Sequence, residues 1–157
     1  MVVLLKKIHV PDRYIPKYIS KKEQQRQKQN LIKSRKAYKN KKYINRPTLK
    51  TYKNKSSKHL KRLYEIYGLD NLKPTKQMSI KTGCKQTALK KIVQKGEGAY
   101  YSSGSRPNQT PQSWGYARLG SAITGDKASV VDYKILQNGC KPSSKALKLA
   151  TRKKNQK

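Results

Sequence analysis

Phenylalanine is absent from this chain of 157 residues, tryptophan occurs once and cysteine twice. Acidic residues are scarce as well: seven Asp and Glu stand against 39 Lys and Arg, for a formal net charge of +32. Each shortage excludes something. With 34% apolar residues, the chain lies near the composition that cannot bury enough apolar surface to offset chain entropy, so a packed core is expected in only part of it. Cys84 and Cys140 are too few for a disulfide framework, and with His9 and His59 they show no zinc-finger spacing, so two free thiols are expected. No apolar run approaches the about 18 residues of a membrane span. The run Val2–Leu5 before Lys6 is too short for a signal-peptide core, which points to a soluble intracellular or virion protein.

What is abundant is positive charge, and it is unevenly placed. Residues 1–95 carry a net +24 and residues 141–157 add +7, whereas residues 96–140 carry only +1. That near-neutral stretch holds Trp114, most of the glycines and many small residues, a composition suited to close backbone packing around a few aromatic anchors. A charge of this size repels itself and needs a counter-charge from a polyanion or an acidic protein surface.

Local signals divide the chain further. Pro11 and Pro16 break residues 1–20 into an extended strap, with Tyr14, Ile15, Tyr18 and Ile19 in reach of one apolar groove. Ser20, with Glu23 three residues later, opens a basic helix to Tyr38 that has little of its own to bury. The echo AYKNK and TYKNK repeats Tyr38 and Tyr52 among lysines, with Tyr43 between them, the mixture of charge and rings that backbone-tracking nucleic-acid binders use. A helix from Ser57 presents Leu60, Leu63, Tyr64 and Tyr67 at helical spacing and stops at Gly68. Thr75–Thr82 is ambiguous. Ala88, Leu89, Ile92 and Val93 form the stripe of a helix ended by Gly96, and AYYSSGSRPNQ reads as a loop or short strand. Thr110 and Pro111 start a helix that runs to Thr124 and Gly125, with small residues at 117 and 120–122 permitting a close approach. A last core helix runs from Ala128 to Gln137 and presents Val130, Val131, Tyr133, Ile135 and Leu136. The fold class is therefore mainly α: a long basic arm (1–56), a small helical domain with a Ser/Gly-rich loop (57–140) and a short basic tail (141–157), whose SSKALKLA portion can add one more short helix.

The run GAYYSSGSRPNQTPQSWGYARLGSAITGDKAS, with the upstream TGCKQTALKKIVQKG, resembles a family of small lysine-rich proteins and domains of large DNA viruses of algae and amoebae. The likeness is close over residues 75–140 and looser in the basic arm, and Tyr100–Arg118 is its most specific part. Asp126 departs from it, where a small residue such as Gly is expected. The resemblance implies a viral origin and no established enzymatic activity.

The residues agree with that silence on catalysis. The carboxylates Glu97, Asp126 and Asp132 are isolated, whereas a two-metal nuclease needs several converging on its ions. Ser or Cys nucleophiles have no nearby histidine base, and GSRPNQ lacks the phosphate-loop pattern. No enzyme activity, metal or cofactor is expected. The candidate polyanion or acidic-partner contacts are Lys21, Lys22, Arg26, Lys33, Arg35, Lys36, Lys39, Lys41, Lys42, Arg46, Lys50, Lys53 and Lys55. Tyr100, Tyr101, Arg106, Trp114 and Arg118 are the candidate core or interface anchors, with the two arginines read first as struts holding the loop by its carbonyls and alternatively as groups that stack on rings or grip a carboxylate or phosphate. Two functions fit. The one favoured by the sequence is a virion structural protein, a minor capsid or capsid-lining component whose arm bridges neighbouring capsid proteins. The alternative is a nucleic-acid-binding protein that packages or organises the viral genome.

Overall fold

In the computed structural model, which describes residues 9–156, the chain is mainly α-helical. A 3-10 turn at Asp12–Tyr14 precedes eight helices: α1 (Lys21–Lys39), α2 (Lys58–Tyr67), α3 (Lys76–Thr82), α4 (Gln86–Ser102), α5 (Pro111–Ile123), α6 (Lys127–Val131), α7 (Tyr133–Gly139) and α8 (Lys145–Asn155). No strand occurs among the described residues, the only extended pairing being a single bridge between Cys84 and Cys140. The apolar run Val2–Leu5 lies outside the described residues. The chain divides into two compact units, one formed by the described part of Met1–Asn54 with Tyr101–Thr110, the other by Lys55–Tyr100 with Pro111–Lys157. This partition replaces the expected sequence of arm, domain and tail.

Unit 1 is held by buried polar groups as much as by apolar ones. The Ser20 hydroxyl caps α1 by accepting from the Glu23 amide at 3.2 Å, but the inward face of the helix is Glu23, Gln27, Leu31 and Ser34. A carboxylate can be buried there because it is paired with donors. Glu23 accepts the Lys50 amide at 2.8 Å, the Thr51 amide at 3.1 Å and the Thr51 hydroxyl. The Gln27 amide donates to the Tyr14 carbonyl at 3.1 Å. Asn108 receives the Leu49 N–H at 2.7 Å and donates back to the Leu49 carbonyl at 3.2 Å, so its side chain imitates a strand partner. The apolar centre is small, namely Val10, Tyr14, Ile19, Leu31 and Leu49. Gly104, with φ +110°, lets the loop settle on Leu31, whose Cδ2 lies 2.8 Å from where a Cβ would stand. So residues 9–54 are neither a free arm nor a partnerless helix. The apolar stripe of α1 is thin because hydrogen bonds fill its inward face.

Unit 2 is packed around Leu63, Met78, Leu89, Ile92, Leu119, Ile123 and Leu136. α5 packs against α2, α6 and α8. α4 crosses α5 at a pair of glycines: a Cβ on Gly96 would stand 2.5 Å from the Gly115 Cα, and one on Gly115 would stand 2.5 Å from the Val93 carbonyl oxygen. Gly96 therefore serves helix contact and does not end α4, which continues through Tyr100 and Tyr101 to Ser102. On α2 the buried residues are Leu63 and Tyr67, while Leu60 and Tyr64 face outward. Asp132 divides the expected helix 128–137 into α6 and α7. Its carboxylate is 1% exposed and takes two 2.8 Å hydrogen bonds from Arg118, and Val130 and Val131 are left exposed. Asp126 caps α6 by accepting from the Lys127 amide. Burial pushes its carboxyl up, but the Lys127 amide and the charges of Lys58, His59 and Arg62 hold it below the ordinary value.

The expected free thiols are instead a disulfide between Cys84 and Cys140. The turn after α3 runs antiparallel to the end of α7, with Lys85 N–H to Gly139 O at 2.7 Å and Lys141 N–H to Gly83 O at 2.9 Å, and this brings together cysteines 56 residues apart in sequence. By chain entropy such a cross-link stabilises by about 4 kcal/mol. The expected tail is α8, whose Ala146 and Ala150 are fully buried.

Two predictions follow from these contacts. Gly96→Ala forces a side chain onto backbone and is expected to destabilise by about 1–3 kcal/mol. Gly98→Ala, in the same helix with nothing within 4 Å of its Cβ position, is expected to stabilise by about 0.5–1 kcal/mol. Denaturant unfolding of the two variants checks the contrast. The Thr51 hydroxyl first, then the Thr51 and Lys50 amides, hold Glu23 below its ordinary pKa of 4.5 against the opposing effect of burial. Its contribution is thus fully present above that value and is lost as the pH falls through the lowered one. Glu23→Gln is expected to lower stability at neutral pH and to flatten the acid limb of a stability–pH curve; an unchanged acid limb removes Glu23 from this role.

Candidate nucleic-acid interface

Burial of one face of α1 fixes what the opposite face shows. With Glu23, Gln27, Leu31 and Ser34 turned inward, Lys21, Lys22, Arg26, Lys33, Lys36 and Lys39 are exposed, as are Lys41, Lys42, Lys50 and Lys53 further on. The acidic residues of unit 1 are Asp12 and Glu23, and Glu23 is occupied by backbone amides and a hydroxyl. The field over this surface is therefore positive with almost no internal compensation.

Two of the candidate cations have structural work instead. Arg46 donates to the Ser34 hydroxyl at 3.0 Å and the Ser105 hydroxyl at 2.7 Å, so it is a strut of unit 1. Arg35 is half-buried and donates to the His9 carbonyl. Lys55 is exposed but falls in unit 2.

Among the candidate anchors, Tyr100 is 1% exposed and Trp114 is half-buried. Arg118 is a strut, but its partner is the Asp132 carboxylate and not the loop carbonyls. Arg106 is exposed; it is a surface cation near enough to Tyr52 to oppose the upward push that burial and Tyr18 give that phenol. The loop strut expected of Arg106 is thus supplied by Arg46, which no local motif in the sequence marks.

Aromatic rings punctuate the same unit. Tyr43 is 65% exposed and meets Tyr101 edge-on at 5.1 Å and Tyr38 at 6.0 Å. Tyr101 also donates to the Asn45 side chain at 3.4 Å. Tyr18, 56% exposed, stacks with Tyr52 at 6.0 Å. The two tyrosines of the AYKNK echo thus belong to different clusters, each completed by a ring that the echo does not contain. Tyr18 and Tyr101 carry no local signal of this role, because their partners lie tens of residues away in sequence.

Other chemistries find little here. Among the described residues no three His, Cys, Asp or Glu gather as a metal site, and no helix is long and apolar enough to cross a membrane. His59 and Lys58 lie 3.8 and 3.7 Å from the Asp126 carboxylate, an ion cluster at the foot of α2. No curated protein and no solved structure matches the chain. A family model does match, over residues 11–140. The chain belongs to that family, the family of unknown function DUF5824.

Proposed function

We propose that this protein binds nucleic acid through unit 1, the exposed lysines of α1 and of the segment after it neutralising phosphates while the tyrosine cluster stacks on bases. The observation that carries the reading is the T-shaped row Tyr38–Tyr43–Tyr101 on a surface where Lys39, Lys41 and Lys42 are exposed. A row of rings with Tyr43 exposed, in a segment rich in exposed lysines, matches the two needs of a single strand, because every base has a face to stack and every nucleotide a charge to neutralise. The viral origin implied by the run Tyr100–Arg118 makes a viral genome or transcript the fitting ligand, and packaging or organising it the fitting task.

A virion structural role is the second reading. It is favoured by exposed apolar side chains in unit 2, with Ile80 at 73%, Val131 at 70% and Tyr64 at 66%, which suit docking on another capsid protein. The bridging arm that this role first suggested is folded into unit 1 from residue 9 to 54, so we place it behind nucleic-acid binding.

The test is titration of the full chain with a mixed-sequence single-stranded oligonucleotide at several salt concentrations. Tyr38→Ala with Tyr43→Ala is expected to weaken binding on the order of tenfold or more, with the salt slope unchanged and Tyr43→Phe close to wild type. Replacing Lys39, Lys41 and Lys42 by Gln is expected to reduce the slope by about 2. Affinity unmoved by either set, with helix content retained, rejects the reading; binding to purified capsid protein in its place supports the second.

A further inference from the structure

α3, the turn after it and α4 as far as Tyr100 belong to unit 2, and their construction has a meaning of its own. α3 ends at Thr82, three residues turn the chain, and α4 begins at Gln86. The first turn residue, Gly83, has φ +75° and ends α3 in the left-handed region. The inner positions of both helices and the turn are closed: Met78, Thr82 and Cys84 are 1–2% exposed, and Leu89 and Ile92 are fully buried. The Ser79 hydroxyl donates to the Cys84 carbonyl at 2.5 Å, tying the first helix to the turn. The Cys84–Cys140 disulfide and the two backbone hydrogen bonds to residues 139–141 clamp the turn from the other side.

Two short-linked helices with a glycine-led three-residue turn, a buried residue inside the turn and a shared core are the frame of a helix-turn-helix, whose second helix enters the DNA major groove. The outward face of α4 suits that use. Thr87, Lys90, Lys91 and Gln94 recur at helical spacing and are all exposed, and Lys81 and Lys85 flank them at the turn, also exposed. Hydroxyl, amide and ammonium groups in one row can donate to and accept from base edges, while the flanking lysines reach phosphates.

We infer that α3–turn–α4 is a helix-turn-helix and that Thr87, Lys90, Lys91 and Gln94 read double-stranded DNA in its major groove. The ligand is B-form DNA and not duplex RNA, because the deep, narrow major groove of A-form RNA excludes a helix. The site lies in unit 2 and does not rest on the reading of unit 1.

The experiment is selection by the full chain from randomised DNA duplexes, at salt high enough to suppress phosphate-only binding. A contiguous core sequence is expected to be enriched. The chain should bind this duplex more tightly than unrelated DNA and than RNA of the same sequence. Thr87→Ala with Gln94→Ala is expected to relax the preference at one or two base positions and to cost on the order of tenfold in affinity for the enriched duplex. Affinity for unrelated duplexes should stay unchanged, and so should the circular dichroism. Tyr38→Ala with Tyr43→Ala should leave the preference intact, which separates this site from unit 1. No enriched sequence, or the same sequence enriched by the Thr87→Ala, Gln94→Ala chain, overturns the inference.

Discussion

A single buried carboxylate organises the basic half of this protein. Glu23 projects from the inward face of α1 and collects the Lys50 amide, the Thr51 amide and the Thr51 hydroxyl. These contacts anchor the returning segment against the helix. In a unit with so few acidic side chains, this one carboxylate both ties the chain and sets the direction in which α1 turns its lysines. The rest of unit 1 follows the same logic. Gln27, Ser34, Arg46, Ser105 and Asn108 supply the hydrogen bonds that a larger apolar core would otherwise make unnecessary.

Unit 2 solves a different problem, namely how to pack short helices closely with few large side chains. Glycine at 96 and 115 brings α4 and α5 into backbone contact, Gly120 brings α5 against Leu72 and His59, and the Arg62 guanidinium caps the end of α5 at the Thr124 carbonyl, at 2.9 Å. The half-buried Arg118 holds the buried Asp132 carboxylate with two hydrogen bonds, and its removal would leave that carboxylate with only Lys95, 3.8 Å away, as a partner. Together with the disulfide, these contacts make a compact helical body without phenylalanine.

Most helices that carry an apolar stripe or a cap were legible in the sequence, α3 with its Thr75 cap being an exception. Ser20, Gly68 and Gly125 mark real ends, and Leu89, Ile92 and Val93 mark a real core face. What was hidden is long-range or polar. The inward face of α1 is Glu23, Gln27 and Ser34, which look solvated until their partners at residues 50, 51, 14, 46 and 105 are known. Gly96 reads as a helix stop because a stop and a close crossing demand the same residue. The pairing of Cys84 with Cys140 depends on the turn at 83–85 lying beside 139–141, a relation no spacing reveals. Of the candidate site, the exposed lysines of α1 and the rings Tyr38, Tyr43 and Tyr52 were visible and Tyr101 stood out as an anchor, whereas its meeting with Tyr43 and that of Tyr18 with Tyr52 needed the fold.

The functional account depends on the basic segment being a folded surface before any ligand arrives, because only then are the tyrosine row and the lysines preset. Amide hydrogen exchange of the full chain, free of nucleic acid, tests this most directly. The Lys50 and Thr51 amides held by Glu23 should be protected to the same degree as the interior amides of α1. Exchange of those two amides at the rate of an unstructured chain, alongside a protected unit 2, would contradict the account.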